Sequence, residues 1–155
     1  MKLENQSDFY LLNKPRSWTS QDLCTFFKKK YKFKKVGHSG TLDPNAEGLM
    51  LIATNKYTKL FDYINNTHKT YEFEAIFGFE SDSFDTDSEL KEIESVNLKS
   101  KLKELNNGIL QLTGNIKQLP PIYSAVKVKG KRLYKYARQE KKVELPTRDV
   151  EVSSF

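Results

Sequence analysis

Val36-Gly37-His38-Ser39-Gly40-Thr41-Leu42-Asp43-Pro44-Asn45-Ala46-Glu47-Gly48-Leu49-Met50-Leu51-Ile52-Ala53-Thr54 is the stretch on which the fold turns. Its second part, Gly48 to Thr54, is apolar without alternation from Leu49 to Ala53, and this predicts a buried strand. Its first part, Val36 to Asn45, carries two glycines and a proline and predicts a loop. Gly37 and Gly40 permit close backbone approach or positive φ, and Pro44 pushes Asp43 into an extended conformation. A loop of this kind, set between a helix and a strand, can present one carboxylate in a fixed direction. The same residues also suit a plain tight turn in which Asp43 accepts backbone hydrogen bonds, and composition alone favours the turn.

Outward from this stretch, elements alternate. Phe9 to Asn13 reads as a strand stopped at Lys14-Pro15. Thr19-Ser20 supplies an N-cap for a helix through about Tyr31, with Leu23, Phe26 and Phe27 on its buried side. Lys28, Lys29 and Lys30 form its last turn and complement the helix dipole. Thr54 or Asn55 caps a second helix carrying Leu60, Phe61 and Ile64. From Lys69 to Phe77, Tyr71, Phe73, Ala75 and Phe77 share one face and Glu72 and Glu74 the other, the pattern of a half-buried strand.

Glu80 to Glu94 is acidic and reads as an exposed loop. Its Asp82, Asp85 and Asp87 lack the glycine turn and following glutamate of a calcium loop. Asn97 is placed to cap a helix with Leu98, Leu102 and Leu105, and Gly108 to stop it. Ile122 to Val128 predicts a strand turning at Gly130 into a helix with Leu133, Tyr134 and Ala137, and Arg148 to Phe155 a last strand. Without repeats or a linker, the expected fold is α+β: a mixed, mostly antiparallel sheet with flanking helices.

The 155 residues include 26 Lys plus Arg against 20 Asp plus Glu, a formal charge of +6. That surplus suits a polyanionic partner without requiring one. One cysteine, Cys24, excludes an intrachain disulfide and a cysteine-cluster metal site, and its place in a helix points to a buried thiol. His38 and His68 are the only histidines, which argues against a histidine-based zinc site. Met1 to Asp8 lacks the apolar segment of a signal peptide, and no run reaches the ~18 apolar residues of a membrane span. The expectation is a soluble, cytoplasmic protein with no metal.

Gly37 to Pro44 followed by Gly48 resembles the catalytic signature of the TruB-type pseudouridine synthases. Further blocks resemble that family in the same order. These are Leu12-Asn13-Lys14-Pro15 with Trp18-Thr19-Ser20, then Lys69-Thr70-Tyr71, then Tyr123 to Lys127 with Gly130, Arg132, Tyr134, Ala137 and Arg138. The resemblance implies the N-terminal portion of a pseudouridine synthase catalytic domain over residues 1–155. It also implies a cofactor-free isomerisation of the T-loop uridine, position 55, of tRNA. In that reaction the bond from N1 to C1′ breaks, the base rotates, and C5 bonds to C1′.

By resemblance Asp43 is the catalytic carboxylate, able to attack C1′ or to stabilise positive charge there. Tyr71 matches the tyrosine that stacks on the target base and is implicated in removing the C5 proton. His38 matches the histidine that inserts where the flipped base leaves. Lys14 is expected to contact active-site structure or RNA. Lys127 and Arg132, with Lys129, Lys131 and Lys135 beside Tyr134 and Tyr136, suit the phosphates and unstacked bases of the tRNA T arm, and Arg132 and Arg138 equally suit pairing with acidic neighbours inside the fold.

Two departures stand out. Ser17 occupies a position where the family usually has glycine, which could tighten or shift the turn after Pro15. The later strand motif, whose basic residue pairs with the catalytic aspartate, is not found within residues 1–155. The expectation is therefore a chain that is truncated, split or completed by a second polypeptide. Two alternatives accompany the enzyme reading. One is a non-catalytic RNA-binding or tRNA-folding fragment, and the other a guide-RNA-directed relative acting on ribosomal RNA.

Overall fold

The computed structural model describes residues 3–64, 68–86, 88–124, 126–139 and 141–155, with the side chain of Tyr134 also outside the description. The chain forms two compact units, Met1–Phe73 and Glu74–Phe155. In the first, β1 (Phe9–Lys14), β2 (Val36–His38) and β3 (Gly48–Thr54) make an antiparallel sheet in the order β1-β3-β2. Helix α1 (Ser20–Tyr31) covers one face. Thr19 caps it in a reciprocal box with Asp22, and Lys32 closes it in the left-handed conformation.

The core lies between α1 and the sheet: Leu23, Cys24 and Phe27 meet Phe33, Met50 and Ile52, with Tyr10 and Leu12 packed alongside. Phe26, expected on the buried side, is partly exposed and sets its ring edge-on to Trp18. The other face of the sheet is treated differently along its length. At one end Phe9 packs against Tyr57 and Phe61. Toward the other, Leu11 pairs with Leu51 and Asn13 with Leu49, and Leu49 is 71% exposed. The strand expected to be buried throughout is thus buried on the face toward α1, while its other face is covered at the Ala53 end and open at Leu49.

Thr54 and Asn55 do not cap a helix in the expected way. Asn55 donates from its side chain to the carbonyls of Glu4 and Gln6, accepts from the Lys35 N–H, and leads into a 3-10 turn, Asn55–Leu60, before α2 (Phe61–Ile64). Residues 69–77 are a larger correction. They form no strand, and Tyr71, Phe73, Ile76 and Phe77 are exposed. Alternation prepares two faces, but a strand also needs a neighbouring strand to form a ladder with, and no ladder includes these residues among the described ones.

In the second unit, β4 (Phe79–Glu80) pairs with β5 (Lys91–Glu92) and closes the neck of the acidic loop. Gly78 makes that closure possible: its φ is 87°, and a Cβ there would sit 2.2 Å from the Glu94 carbonyl oxygen. Asn97 caps a 3-10 turn, Leu98–Ser100, and α3 (Leu102–Gln111) runs through Gly108 rather than stopping at it. β6 (Gly114–Gln118) has no alternating apolar signal, and it exists by pairing with β9 (Arg148–Val152), which ends short of Phe155. The strand expected over residues 122–128 shrinks to β7 (Lys127–Val128), joined to β8 (Lys131–Arg132) by a turn with positive φ at Lys129 and Gly130. Helix α4 (Leu133–Ala137) follows. Every ladder among the described residues is antiparallel, within the expected α+β class.

Cys24 is buried, as its helix position implied, and burial pushes its thiol from 9.0 up to about 11. That rise leaves about a hundredfold less thiolate at pH 8 than a free cysteine carries. Native protein should therefore resist alkylation at pH 8 and label fast once unfolded in denaturant. The unfolded chain releases this proton at lower pH than the folded one, so stability should fall as pH rises from 9.0 toward about 11.

Candidate active site

Asp43 is exposed at the middle of the loop that joins β2 to β3, and its backbone is held on both sides. Upstream, the Ser39 N–H donates to the Leu51 carbonyl at 3.0 Å, prolonging the β2–β3 ladder by one rung. Next to Asp43, the Leu42 N–H donates to Ser20 Oγ at 2.9 Å and the Leu42 carbonyl accepts from the same hydroxyl at 3.1 Å. Downstream, the Pro44 carbonyl accepts from the Ser17 N–H at 2.8 Å and from Lys14 Nζ at 3.4 Å. The Asp43 carbonyl itself accepts from Ala46. Its carboxylate has no hydrogen-bond partner among the described residues. A tight turn does form here, with the Asp43 carbonyl as its acceptor; a backbone bond to the Asp43 carboxylate is not found among the described residues.

Lys14 closes β1 with its side chain pointing into the unit, fully buried. Its ammonium donates to the carbonyls of Trp18 at 2.7 Å, Pro15 at 3.1 Å and Pro44. Burial pulls the Lys14 ammonium below its ordinary value, and the negative charges of Asp43 and Glu47 partly restore it. Of the two roles expected for Lys14, contact with active-site structure or with RNA, this geometry is that of the first. A fully buried ammonium has no surface to offer a phosphate.

Ser17 keeps the turn that a glycine would make there. It adopts φ 65°, a conformation costing about 1–2 kcal/mol for a residue with a Cβ, and its N–H still reaches Pro44. Gly37 and Gly40 do not have positive φ, whereas Gly48, at the start of β3, does. The first three residues of the expected loop are β2, with Gly37 paired to Ala53 and His38 to Ile52. His38 Nδ1 lies 2.6 Å from the Gly40 carbonyl, so that nitrogen carries the proton and Nε2 is left as the acceptor when the ring is neutral.

Beside the loop lies a cleft of about 320 Å³. Its floor is Leu11, Leu49 and Leu51, the uncovered part of the sheet, and Ser39 to Leu42 form one wall. Tyr71 also lines it, 64% exposed, together with His68, Lys69 and Thr70. Tyr71 therefore reaches the site without the strand expected to carry it. An apolar floor with polar groups at the rim suits a flat, partly polar ligand.

Lys14, His38, Asp43 and Tyr71 belong to the first unit, and Lys127 and Arg132 to the second. Lys127 and Arg132 face each other directly across the β7–β8 hairpin, both exposed. Two like charges in that register repel, and a bound phosphate would relieve the repulsion. Lys131 is held against Tyr136 at 4.8 Å, and the Tyr136 hydroxyl donates to the Val128 carbonyl. Sequence reasoning missed Ser20 as part of the site, having placed it only at a helix start. Its partner is 22 residues away, beyond any local pattern.

A family model described as TruB family pseudouridylate synthase (N terminal domain) matches residues 28–155. The tRNA pseudouridine synthase B of Lactobacillus gasseri is 42% identical over 145 residues, 94% of this chain and 49% of that protein. That of Caldanaerobacter subterraneus subsp. tengcongensis is 45% identical over 133 residues, 86% of this chain and 46% of that protein. That of Lactococcus lactis subsp. lactis is 38% identical over 152 residues, 98% and 46% respectively. The chain spans about half the length of the curated relatives it matches.

Proposed function

Because this chain belongs to the TruB family of pseudouridylate synthases, we propose that it is part of an enzyme that isomerises a tRNA uridine to pseudouridine. The target is the T-loop uridine at position 55, Asp43 is the catalytic carboxylate, and the chain is the N-terminal part of the catalytic domain. The observation that carries this reading is the Asp43 backbone, hydrogen-bonded on both sides, joined to a carboxylate that has no hydrogen-bond partner among the described residues. A group positioned in advance but unpartnered is available for substrate. The enzyme would act in the cytoplasm, on tRNA.

The chemistry needs little beyond these groups. The T-loop uridine is flipped from its stack at a cost of a few kcal/mol and its base enters the cleft against Tyr71. Asp43 either attacks C1′ or stabilises the positive charge that develops as the N1–C1′ bond breaks. The base turns, C5 bonds to C1′, and the proton lost from C5 balances the one gained at N1. Tyr71, stacked on the base, takes part in that proton's removal. His38 fills the space the base leaves, and Lys127 and Arg132 hold phosphates of the T arm.

Incubation of the protein with a T-arm stem-loop should convert its uridine to pseudouridine, read by nucleoside chromatography. Tyr71→Ala should lower kcat/KM roughly 5- to 150-fold, the equivalent of about 1–3 kcal/mol of stacking, with an unchanged melting temperature. RNA bound without conversion would identify an incomplete enzyme, and no conversion even with the C-terminal part of the catalytic domain supplied would favour the non-catalytic RNA-binding reading. Conversion of a ribosomal hairpin in preference to the T arm would favour the guide-directed one.

A further inference from the structure

The Ser20 hydroxyl is surplus to the helix it begins. Thr19 makes the cap, accepting from the Asp22 N–H while its own N–H donates to the Asp22 carboxylate. Ser20, 2% exposed, turns away to Leu42 and there bonds both polar groups of one residue, accepting from the N–H and donating to the carbonyl. The two bonds fix Leu42 immediately before Asp43. Without them, the backbone of residues 40–43 keeps, among the described residues, the short-range bonds of the Gly40 carbonyl to His38 and of the Asp43 carbonyl to Ala46, with Ser39 and Pro44 as the anchors on either side.

We propose that Ser20 is a positioning residue for Asp43, its hydroxyl setting the direction from which the carboxylate meets the substrate. The inference rests on Asp43 being the catalytic group. One atom has to donate and accept at once, and a hydroxyl does this where alanine does neither. A carboxylate displaced by about 1 Å can lose 10²-fold in rate, so a loose Leu42 would be felt at the chemical step before it is felt in binding.

The test uses the whole protein with a T-arm stem-loop and four variants: Ser20→Ala, Ser20→Thr, Cys24→Ala and Asp43→Asn. Ser20→Ala should lower kcat about 10- to 100-fold with KM within twofold, and should speed amide exchange at Leu42. Ser20→Thr keeps the hydroxyl and should recover kcat to within a few-fold of the parent. Cys24→Ala is the control for stability, a core change on the same helix, and should keep the parent kcat. A Ser20→Ala enzyme with the parent kcat overturns the inference. So does a loss that Ser20→Thr fails to recover, or one that Cys24→Ala reproduces, since either would make Ser20 merely structural. If Asp43→Asn turns over like the parent, the catalytic reading of Asp43 fails and this inference with it. If Asp43→Asn is dead while Ser20→Ala is fully active, only the inference about Ser20 fails.

Discussion

Asp43→Asn should reduce turnover by at least about 10⁴-fold while melting temperature and tRNA affinity stay close to those of the parent. A lost nucleophile typically costs this much or more in rate. The stability half of the expectation follows from the geometry. The Asp43 carboxylate is exposed and has no hydrogen-bond partner among the described residues, so an amide in its place breaks no hydrogen bond there and removes one of the two negative charges that act on Lys14. The loop would keep its shape, because the bonds that hold it come from Leu42, Pro44 and the Asp43 carbonyl. Single-turnover conversion of a T-arm stem-loop, with affinity measured in parallel, separates the two halves. Retained conversion would remove Asp43 from the chemistry. Lost conversion with a large drop in melting temperature would show that the carboxylate serves the fold.

Lys14→Met should behave in the opposite way, costing stability as well as activity. The ammonium joins β1, the turn after it and the Asp43 loop through three carbonyls, and methionine fills the volume without donating. The Pro44 carbonyl keeps the Ser17 N–H, whereas those of Pro15 and Trp18 lose this donor. Two carbonyls left short, less the desolvation cost of the ammonium, should destabilise by about 2–4 kcal/mol in denaturant unfolding. Lys14 is also held below its ordinary 10.5 when folded, by burial above all. Between that lowered value and 10.5 the unfolded chain binds the proton more tightly, so this residue's share of stability rises with pH through that window. Lys14→Met should lack the rise. Equal stability of the two proteins at neutral pH would show that the buried ammonium gains nothing from its three bonds.

The residues differ in how far their local pattern reaches. Helix α1 was readable from Thr19 and Ser20, the spacing of Leu23 and Phe27 and the closing lysines, because a helix satisfies its backbone within its own span. β1 and β3 were readable from their apolar content, although they pair with each other across 34 to 44 residues of chain. Residues 69–77 carry as clear an alternation and yet form no strand, while Gly114–Gln118 carries almost none and does. Strand existence depends on a partner that no window of sequence contains.

The candidate site divides in the same way. Asp43 and Tyr71 were named from the order of short blocks, and the cleft receives Tyr71 beside the Asp43 loop although the strand meant to carry it is absent. Residue types and their order were enough by themselves to determine the family, the helix and two of the sheet strands, and which carboxylate to suspect. Tertiary structure alone decided that Lys14 points inward, that Ser20 serves Leu42 rather than its own helix, and that one half of a sheet face stays open as a cleft. Each of those outcomes depends on whether a polar or apolar group finds a partner across a span of 22 residues or more, or is left without one. The chain's local chemistry offers such groups, and only packing assigns their partners.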